Sequence, residues 1–295
     1  MESFIVENPI RLDKLLHDHF PEYSRSYFQY LIDHKGVKRN GKSVKKREIP
    51  QVGDTITVSF LQTPEITLNP QPIPLEILYE DPYLLCINKP AGMVVHPAPG
   101  HFEGTLVNAL LYHCHSLPPQ DLRPGIVHRL DRETSGVILA AKTVETHQKL
   151  IEAFSTRQMR KEYLAITIGN PGNQSVDAPI GRDRVKRKEM TVVEEGRPAL
   201  SHIETLISAG DFSLVKVRPV TGRTHQIRVH LKHLKTPVLG DRVYGSEKLS
   251  SKLGVKRHLL HAHHITFMHP FLGKELTLTA PPPDDFQKWI KKLSS

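Results

Sequence analysis

A charged quartet, His128-Arg129-Leu130-Asp131, is enclosed by apolar sequence within residues 125–143. Residues 137–141 are five apolar positions bounded by Gly136 and Lys142, a pattern that predicts a buried strand. The charges therefore sit beside a core, where an ionised Asp131 costs desolvation energy unless it meets a cation or hydrogen-bond donors. A carboxylate in such a setting can act as a nucleophile. The same residues accommodate a purely structural role, in which Arg129 or Arg132 pairs with Asp131 and the carboxylate caps the turn through 133–136.

Other chemistries find less support. His225, His230 and His233, or His261, His263 and His264, could supply imidazoles to a metal. Their spacing misses the His-Glu-x-x-His arrangement and brings no carboxylate to the same face, so no metal site is expected. Neither a Gly-rich dinucleotide loop after a suitable strand nor a Gly-x-x-x-x-Gly-Lys loop is present, which argues against oxidoreductase and nucleotide-hydrolysing chemistry and leaves no cofactor to expect. The two cysteines, Cys86 and Cys114, do not make a disulfide scaffold or a thiolate zinc site, and Cys86 reads as a small buried hydrophobe. No apolar run reaches the ~18 residues needed to span a bilayer, and the amino terminus lacks a basic segment followed by a long apolar one. A cytoplasmic protein without membrane contact is expected.

The elements that must position these groups are short. Strands are predicted at 77–79, 83–87, 137–141, 163–168, 203–206 and 212–217, and helices at 146–154 and 224–234, the latter aligning Ile227, Leu231 and Leu234. Residues 106–111 read as helix packing around Asn108. Scattered helices without regular β-α alternation predict an α+β domain over 77–295, built on a largely antiparallel mixed β-sheet. Ahead of it, residues 1–62 form a small domain: Leu12, Leu15 and Leu16 have helical spacing, Ser24 can cap a second helix carrying Tyr27, Phe28, Leu31 and Ile32, and short strands follow around the turn Asn40-Gly41. Pro64, Pro70, Pro72 and Pro74 make 63–76 a semi-extended connector or a strap on the larger domain.

The formal charge of +9 permits a polyanionic partner. It is also clustered. Lys35, Lys38, Arg39, Lys42, Lys45, Lys46 and Arg47 have no acidic residue among them and crowd a helix end and its turn, and Arg182, Arg184, Lys186, Arg187 and Lys188 make a second cluster. Solvated faces are the alternative, but two clusters could together span a folded RNA.

The string His-Arg-Leu-Asp-x-x-Thr-Ser-Gly at 128–136 resembles the catalytic motif of the pseudouridine synthases of large-subunit rRNA and tRNA named after ribosomal large subunit pseudouridine synthase A. Lys161-Glu162-Tyr163 and residues 221–230 resemble the family's two other catalytic-centre motifs, in the family's order; 234–244 and Leu260-His261-Ala262 continue the match, and 89–97 resembles its first motif. The resemblance spans about residues 75–283. It implies that Asp131 is the nucleophile or base, that Arg228 holds that carboxylate with its bidentate fork, and that Tyr163 lies against the target base with its hydroxyl near the C5 proton. It further implies that Arg129 fills space left by a displaced base, with His128, Arg223, His225 and Gln226 also meeting substrate. Ile265, Phe267 and Leu278 would complete the apolar support of the pocket.

Residues 11–16, 24–26 and 35–41 resemble the S4 RNA-binding domain, which would place Lys35, Lys38, Arg39 and Lys42 against RNA phosphates. This combination resembles the branch acting on large-subunit rRNA, and within it the synthase for helix 69. The expected partner is large-subunit rRNA or the assembling large subunit, met by a monomer. Another rRNA or tRNA position, a non-catalytic assembly factor and a uracil-releasing glycosylase are the alternatives.

Overall fold

The computed structural model describes residues 1–23, 25–60, 68–97, 103–118, 123–183, 185–186 and 189–295. Ser24, expected as a helix cap, Pro64, and Arg184, Arg187 and Lys188 of the second basic cluster lie outside the described residues. The chain divides into two compact units, Met1–Thr67 and Leu68–Ser295. Within the stretch read as a connector, residues 68–76 go with the larger unit. Leu68 and Leu75 pack on its core, and the Asn108 side-chain amide donates to the Asn69 carbonyl (2.8 Å).

The smaller unit runs β1 (Glu2–Ile5), α1 (Leu12–His19), α2 (Arg25–Asp33), β2 (Val37–Arg39), β3 (Lys42–Ser43) and β4 (Thr55–Val58). Among the described residues its strands form one antiparallel sheet in the order β1-β4-β2-β3. Leu12 and Leu16 from one helix and Phe28 and Leu31 from the other meet Val37, Ile56 and Val58 of the sheet, all buried, at the spacings that helices and strands require. Asp13 is also buried. Arg11, Arg25 and Gln29 donate to it, and although burial alone would raise its pKa, those bonds bring it down to about 2 and tie α1 to α2.

The larger unit contains β5 (Ile77–Glu80), β6 (Leu84–Lys89), α3 (Leu106–Cys114), β7 (Ser135–Ala141), α4 (Val144–Ser155), β8 (Arg160–Ile168), β9 (Gln174–Asp177), β10 (Ile180–Arg182), β11 (Met190–Val192), β12 (Leu200–Ala209), β13 (Phe212–Pro219), α5 (Gln226–His233), α6 (Glu247–Lys252), β14 (Leu260–Met268), β15 (Glu275–Thr279) and α7 (Asp284–Ser294). Its main sheet has the order β5-β6-β7-β14-β8-β13-β12-β9, with β15 on β14; β10 and β11 pair apart. Every pairing among the described residues is antiparallel except β7 with β14. The α+β class and the mixed sheet stand as expected.

Both faces of the central strands are covered. Val137, Leu139 and Ala141 of β7 join a cluster with Leu150 of α4, whereas Ile138 and Ala140 join Leu106, Val107 and Leu110 of α3. On β8, Ala165 faces Ile227 and Leu231 of α5, and Leu164 and Ile166 face Phe286 and Trp289 of α7. Each Val, Leu, Ile or Phe among them contributes roughly 1.5–3 kcal/mol of burial, so the sheet is a stiff floor for whatever its loops carry. Ile265, Phe267 and Leu278 belong to the α4-side core. They pack there with Val137, Leu139 and Ala141 of β7 and do not themselves line the cleft described below.

The start of β7 is the tightest junction. His261↔Ser135 and Ala262↔Gly136 are the two parallel pairs that join it to β14. A Cβ built on Gly136 would lie 2.1 Å from the Ala262 carbonyl oxygen, and its φ is +113°, so only glycine fits there. The loop immediately before it is 128–134.

Candidate active site

Three devices fix that loop. Lys89, at the end of β6, is fully buried and its Nζ donates to the carbonyls of Pro90 (2.8 Å), Met93 (3.0 Å) and Arg132 (3.1 Å). Burial pushes its pKa down to about 7, yet three carbonyl acceptors need three N–H groups, so the ammonium form is the one that fits. Arg257 forks onto Asp285 of α7 (2.7 and 2.8 Å) and gives Nη1 to the Glu133 carbonyl (3.0 Å). His258 Nε2 pairs with Thr134 Oγ1 (2.8 Å) and His261 Nδ1 with Ser135 Oγ (2.9 Å). The turn is closed by the Asp131 backbone carbonyl, which accepts from Thr134 N–H at 3.1 Å.

Asp131 points its carboxylate into a cleft of about 560 Å³ that Tyr163 and Arg228 also line. Its ion-pair partner is neither Arg129 nor Arg132: Arg228 Nη1 donates to Oδ2 at 2.9 Å, and His225 Nε2 faces Oδ1 at 3.8 Å. The bidentate fork expected for this carboxylate goes elsewhere. Arg228 Nε and Nη2 hold Asp241 (2.7 and 2.9 Å), which also accepts from the Val243 and Tyr244 amides (2.9 and 3.0 Å). Arg228 bridges two carboxylates, and its guanidinium lies over the Tyr244 ring at 4.9 Å. Burial alone would raise Asp131, but the cationic and hydrogen-bonding side of its surroundings, Arg228 above all once His225 is neutral, holds the carboxyl below its ordinary value. Asp241 is lowered too, burial again opposing the stronger pull of Arg228.

Tyr163 stands on the cleft face of β8, packed between two apolar clusters. Burial, then the charge of Asp131, pushes its phenol well above the usual range, and its hydroxyl has no protein hydrogen bond among the described residues. Lys161, two residues earlier on the same strand, also lines the cleft without an ion-pair partner among them, its pKa lowered by burial. Arg129 is exposed at the cleft and likewise unpaired among the described residues.

Other expected substrate contacts are differently engaged. His128 Nε2 accepts from Leu139 N–H (2.8 Å), burial pushing its pKa down to about 3, so it supports β7 while one side of its ring lines the cleft. Gln226 is buried and spends its whole amide on the protein: Oε1 accepts from Thr221 Oγ1 and Arg223 N–H, and Nε2 donates to the Leu200 carbonyl and Ser201 Oγ. Gln226 nevertheless lines the cleft, so its amide orders the wall that a substrate would meet. Arg223 Nε donates to the Pro198 carbonyl (3.1 Å). Of the histidines considered for metal, His230 bonds with Ser201 and Ala178, His261 with Ser135 and Ala280, His263 with Ala280, and His264 with Thr279.

In the smaller unit Lys35, Lys38 and Lys42 are exposed, and among the described residues they have no ion-pair partner. Arg39 is half-buried against Glu48 (3.1 Å) and Asp54 (3.7 Å), and Lys46 pairs with Asp33 (2.5 Å), so the cluster is less uniformly free than its sequence implies.

Sequence reasoning gave no site role to Asp241, Tyr244, Lys89, Arg257, His258 or Lys161. Asp241 lies inside the matched stretch 234–244, but nothing local marks its partner; Lys161 sits in the matched Lys-Glu-Tyr string and could have been found there.

Residues 83–233 match the family model for RNA pseudouridylate synthase, and residues 10–56 match the S4 domain. The chain belongs to the RNA pseudouridine synthase family, a family of isomerases, and carries an amino-terminal S4 domain. It is similar to an uncharacterized RNA pseudouridine synthase of Chloroflexus aurantiacus, at 45% identity over 96% of this chain and 90% of the relative. Ribosomal large subunit pseudouridine synthase D of Pseudomonas aeruginosa is 40% identical over 96% of this chain and 91% of its own. Among solved structures, human RNA pseudouridylate synthase domain containing 4 superposes with a TM-score of 0.56 at 30% identity, covering 74% of this chain and 93% of that one.

Proposed function

We propose that this chain isomerises uridine to pseudouridine in large-subunit rRNA, at helix 69, in the cytoplasm, with Asp131 as the reacting carboxylate. The observation that carries the reading is the Asp131–Arg228 pair, 2.9 Å, in a cleft that Tyr163 shares. The relatives named ribosomal large subunit pseudouridine synthase D support the choice of RNA. The reaction breaks the N1–C1′ bond, turns the uracil and forms a C5–C1′ bond; C5 loses a proton and N1 gains one, so the change is redox-neutral. A carboxylate held ionised can attack C1′ or C6, or take the C2′ proton, dividing one displacement into smaller steps. Arg228 keeps Asp131 charged and oriented. Tyr163 offers a ring for the base to stack on and a hydroxyl near its C5 edge. The target uridine must leave its stack to enter, at a cost of a few kcal/mol, and Arg129, exposed at the cleft and unpaired among the described residues, is the side chain we assign to the space it vacates.

Position-resolved pseudouridine mapping in cells with and without the protein, complemented by parent or Asp131→Asn, tests this. Helix 69 uridines should lose the modification without the protein and regain it only with the parent. Asp131→Asn should bind the same transcript within about twofold, because phosphate contacts remain. Full modification by the mutant would remove Asp131 from the chemistry, an unchanged helix 69 would move the substrate elsewhere, and free uracil would indicate a glycosylase.

A further inference from the structure

The two oxygens of Asp131 have unlike surroundings. Arg228 takes Oδ2, whereas Oδ1 faces His225 Nε2 at 3.8 Å, longer than a hydrogen bond. Behind the imidazole, Nδ1 lies 2.8 Å from Tyr244 Oη, and that oxygen also accepts the Met190 N–H at 2.9 Å. With a lone pair of Oη already used, the phenol's own proton is the natural link to Nδ1. Nδ1 then accepts, and a neutral ring carries its proton on Nε2, aimed at Asp131. Tyr244 is fixed in turn, its ring under Arg228 and its amide on Asp241. The contacts form a closed circuit from Asp131 through Arg228, Asp241, Tyr244 and His225 back to Asp131.

The backbone supports a purpose for this ring. His225 has φ 57° and ψ 17°, a left-handed conformation that a side-chain-bearing residue adopts at a cost and that glycine would take freely. The conformation sits at the start of α5, one turn ahead of Arg228, and turns the imidazole toward the loop that carries Asp131.

We infer that His225 is a positioning residue, a neutral imidazole locked by Tyr244 that steers Oδ1 of Asp131 toward the nucleotide without occupying the lone pair that reacts. This rests on the role proposed above for Asp131, and it replaces the expectation that His225 meets substrate. Burial lowers the pKa of His225, and Arg228 and Arg129 add to that, against the opposite pull of Asp131 and Asp241; the balance favours the neutral ring.

The test uses the full-length protein and an rRNA stem-loop transcript. His225→Gly relieves the backbone strain, so its Tm should equal or exceed the parent's and RNA affinity should stay within about twofold, while the single-turnover rate at saturating RNA falls roughly 10- to 100-fold. His225→Asn, which tolerates the left-handed backbone and keeps an N–H donor, should recover part of that rate. Nitrogen-15 NMR should find the His225 proton on Nε2 in the parent and a tautomer mixture, with a lowered rate, in Tyr244→Phe. A weakened affinity with a parental saturated rate would make His225 a substrate contact and overturn the inference, as would a parental His225→Gly or a proton resident on Nδ1. Asp131→Asn run alongside separates the two failures: if it turns over, the proposed function fails; if it is dead while His225→Gly is parental, only this inference does.

Discussion

Asp131 and Asp241 are two carboxylates that repel each other unless something cationic lies between them, and Arg228 is that group, one N–H to the first and two to the second. A lysine carries its donors on one nitrogen and cannot reproduce the planar fork that grips both oxygens of Asp241 while a further N–H reaches Asp131. Arg228→Lys should therefore leave a charge uncompensated in a buried place, costing about 3–5 kcal/mol of stability, and should collapse single-turnover conversion. Denaturant titration beside rapid-quench assays checks both, and a variant that keeps parental values would remove the bridging role. The titrations give a second expectation. Asp131 has a lowered folded pKa, so its stability contribution is full above the unfolded value of about 3.9 and is lost as pH falls through the folded one. Tyr163 is raised and stays a phenol well past neutrality, and His225 is lowered and stays neutral. The single-turnover rate should be flat from about pH 7 to 9 on these groups, and a limb inside that window, measured at saturating RNA, would mean that another group titrates. Tyr163→Phe keeps the ring and should bind normally while slowing tritium release from C5-labelled uridine; unimpaired release would leave Tyr163 as a stacking face alone.

The loop bearing Asp131 is placed by the β7–β14 junction, and Gly136 is where that junction has no slack. Gly136→Ala would drive a methyl into the Ala262 carbonyl at 2.1 Å and force an alanine to φ +113°. We expect a destabilisation of at least about 2 kcal/mol, read as a lower Tm, with conversion falling further than stability explains because residues 128–134 move with the strand. A Tm and rate at parental values would show that the strands can part without consequence. How far such elements are legible beforehand depends on what interrupts them. β6, β7 and β8 each contain an apolar run, and β12 and β13 space apolar residues through polar ones, so these are readable, whereas β14 interleaves His261, His263 and His264 with its apolar residues and hides its alternation. Phe286, Trp289 and Leu293 carry helical spacing, yet α7 went unread. At the site, the motif order brings Asp131, Tyr163 and Arg228 to one cleft. That the Arg228 fork belongs to Asp241 could not be read, because a pairing across a turn and a helix is set by tertiary packing and leaves no local pattern.

Whether the two compact units divide the work is a question that charge can test. Each has its own apolar core, Leu12, Phe28 and Ile56 in the smaller and the clusters around β7 and β8 in the larger. The exposed cations Lys35, Lys38 and Lys42 belong to the first, and the cleft to the second. Capture of a long, folded RNA draws on every phosphate it meets, but chemistry on a short stem-loop at saturation draws on the cleft alone. Removing residues 1–67 should therefore weaken binding to long rRNA far more than it slows single-turnover conversion of a saturating stem-loop. The salt dependence decides whether the cause is electrostatic: for every phosphate no longer neutralised by a lysine or arginine, the log–log slope should flatten by roughly 0.7–0.9. The triple variant Lys38→Glu, Lys42→Glu and Lys35→Glu, which leaves the unit in place, should reproduce most of that flattening, whereas Arg39→Gln, whose guanidinium is already engaged by Glu48 and Asp54, should change it little. Equal affinity and an equal slope for the parent and the shortened chain on long rRNA would take the smaller unit out of RNA capture.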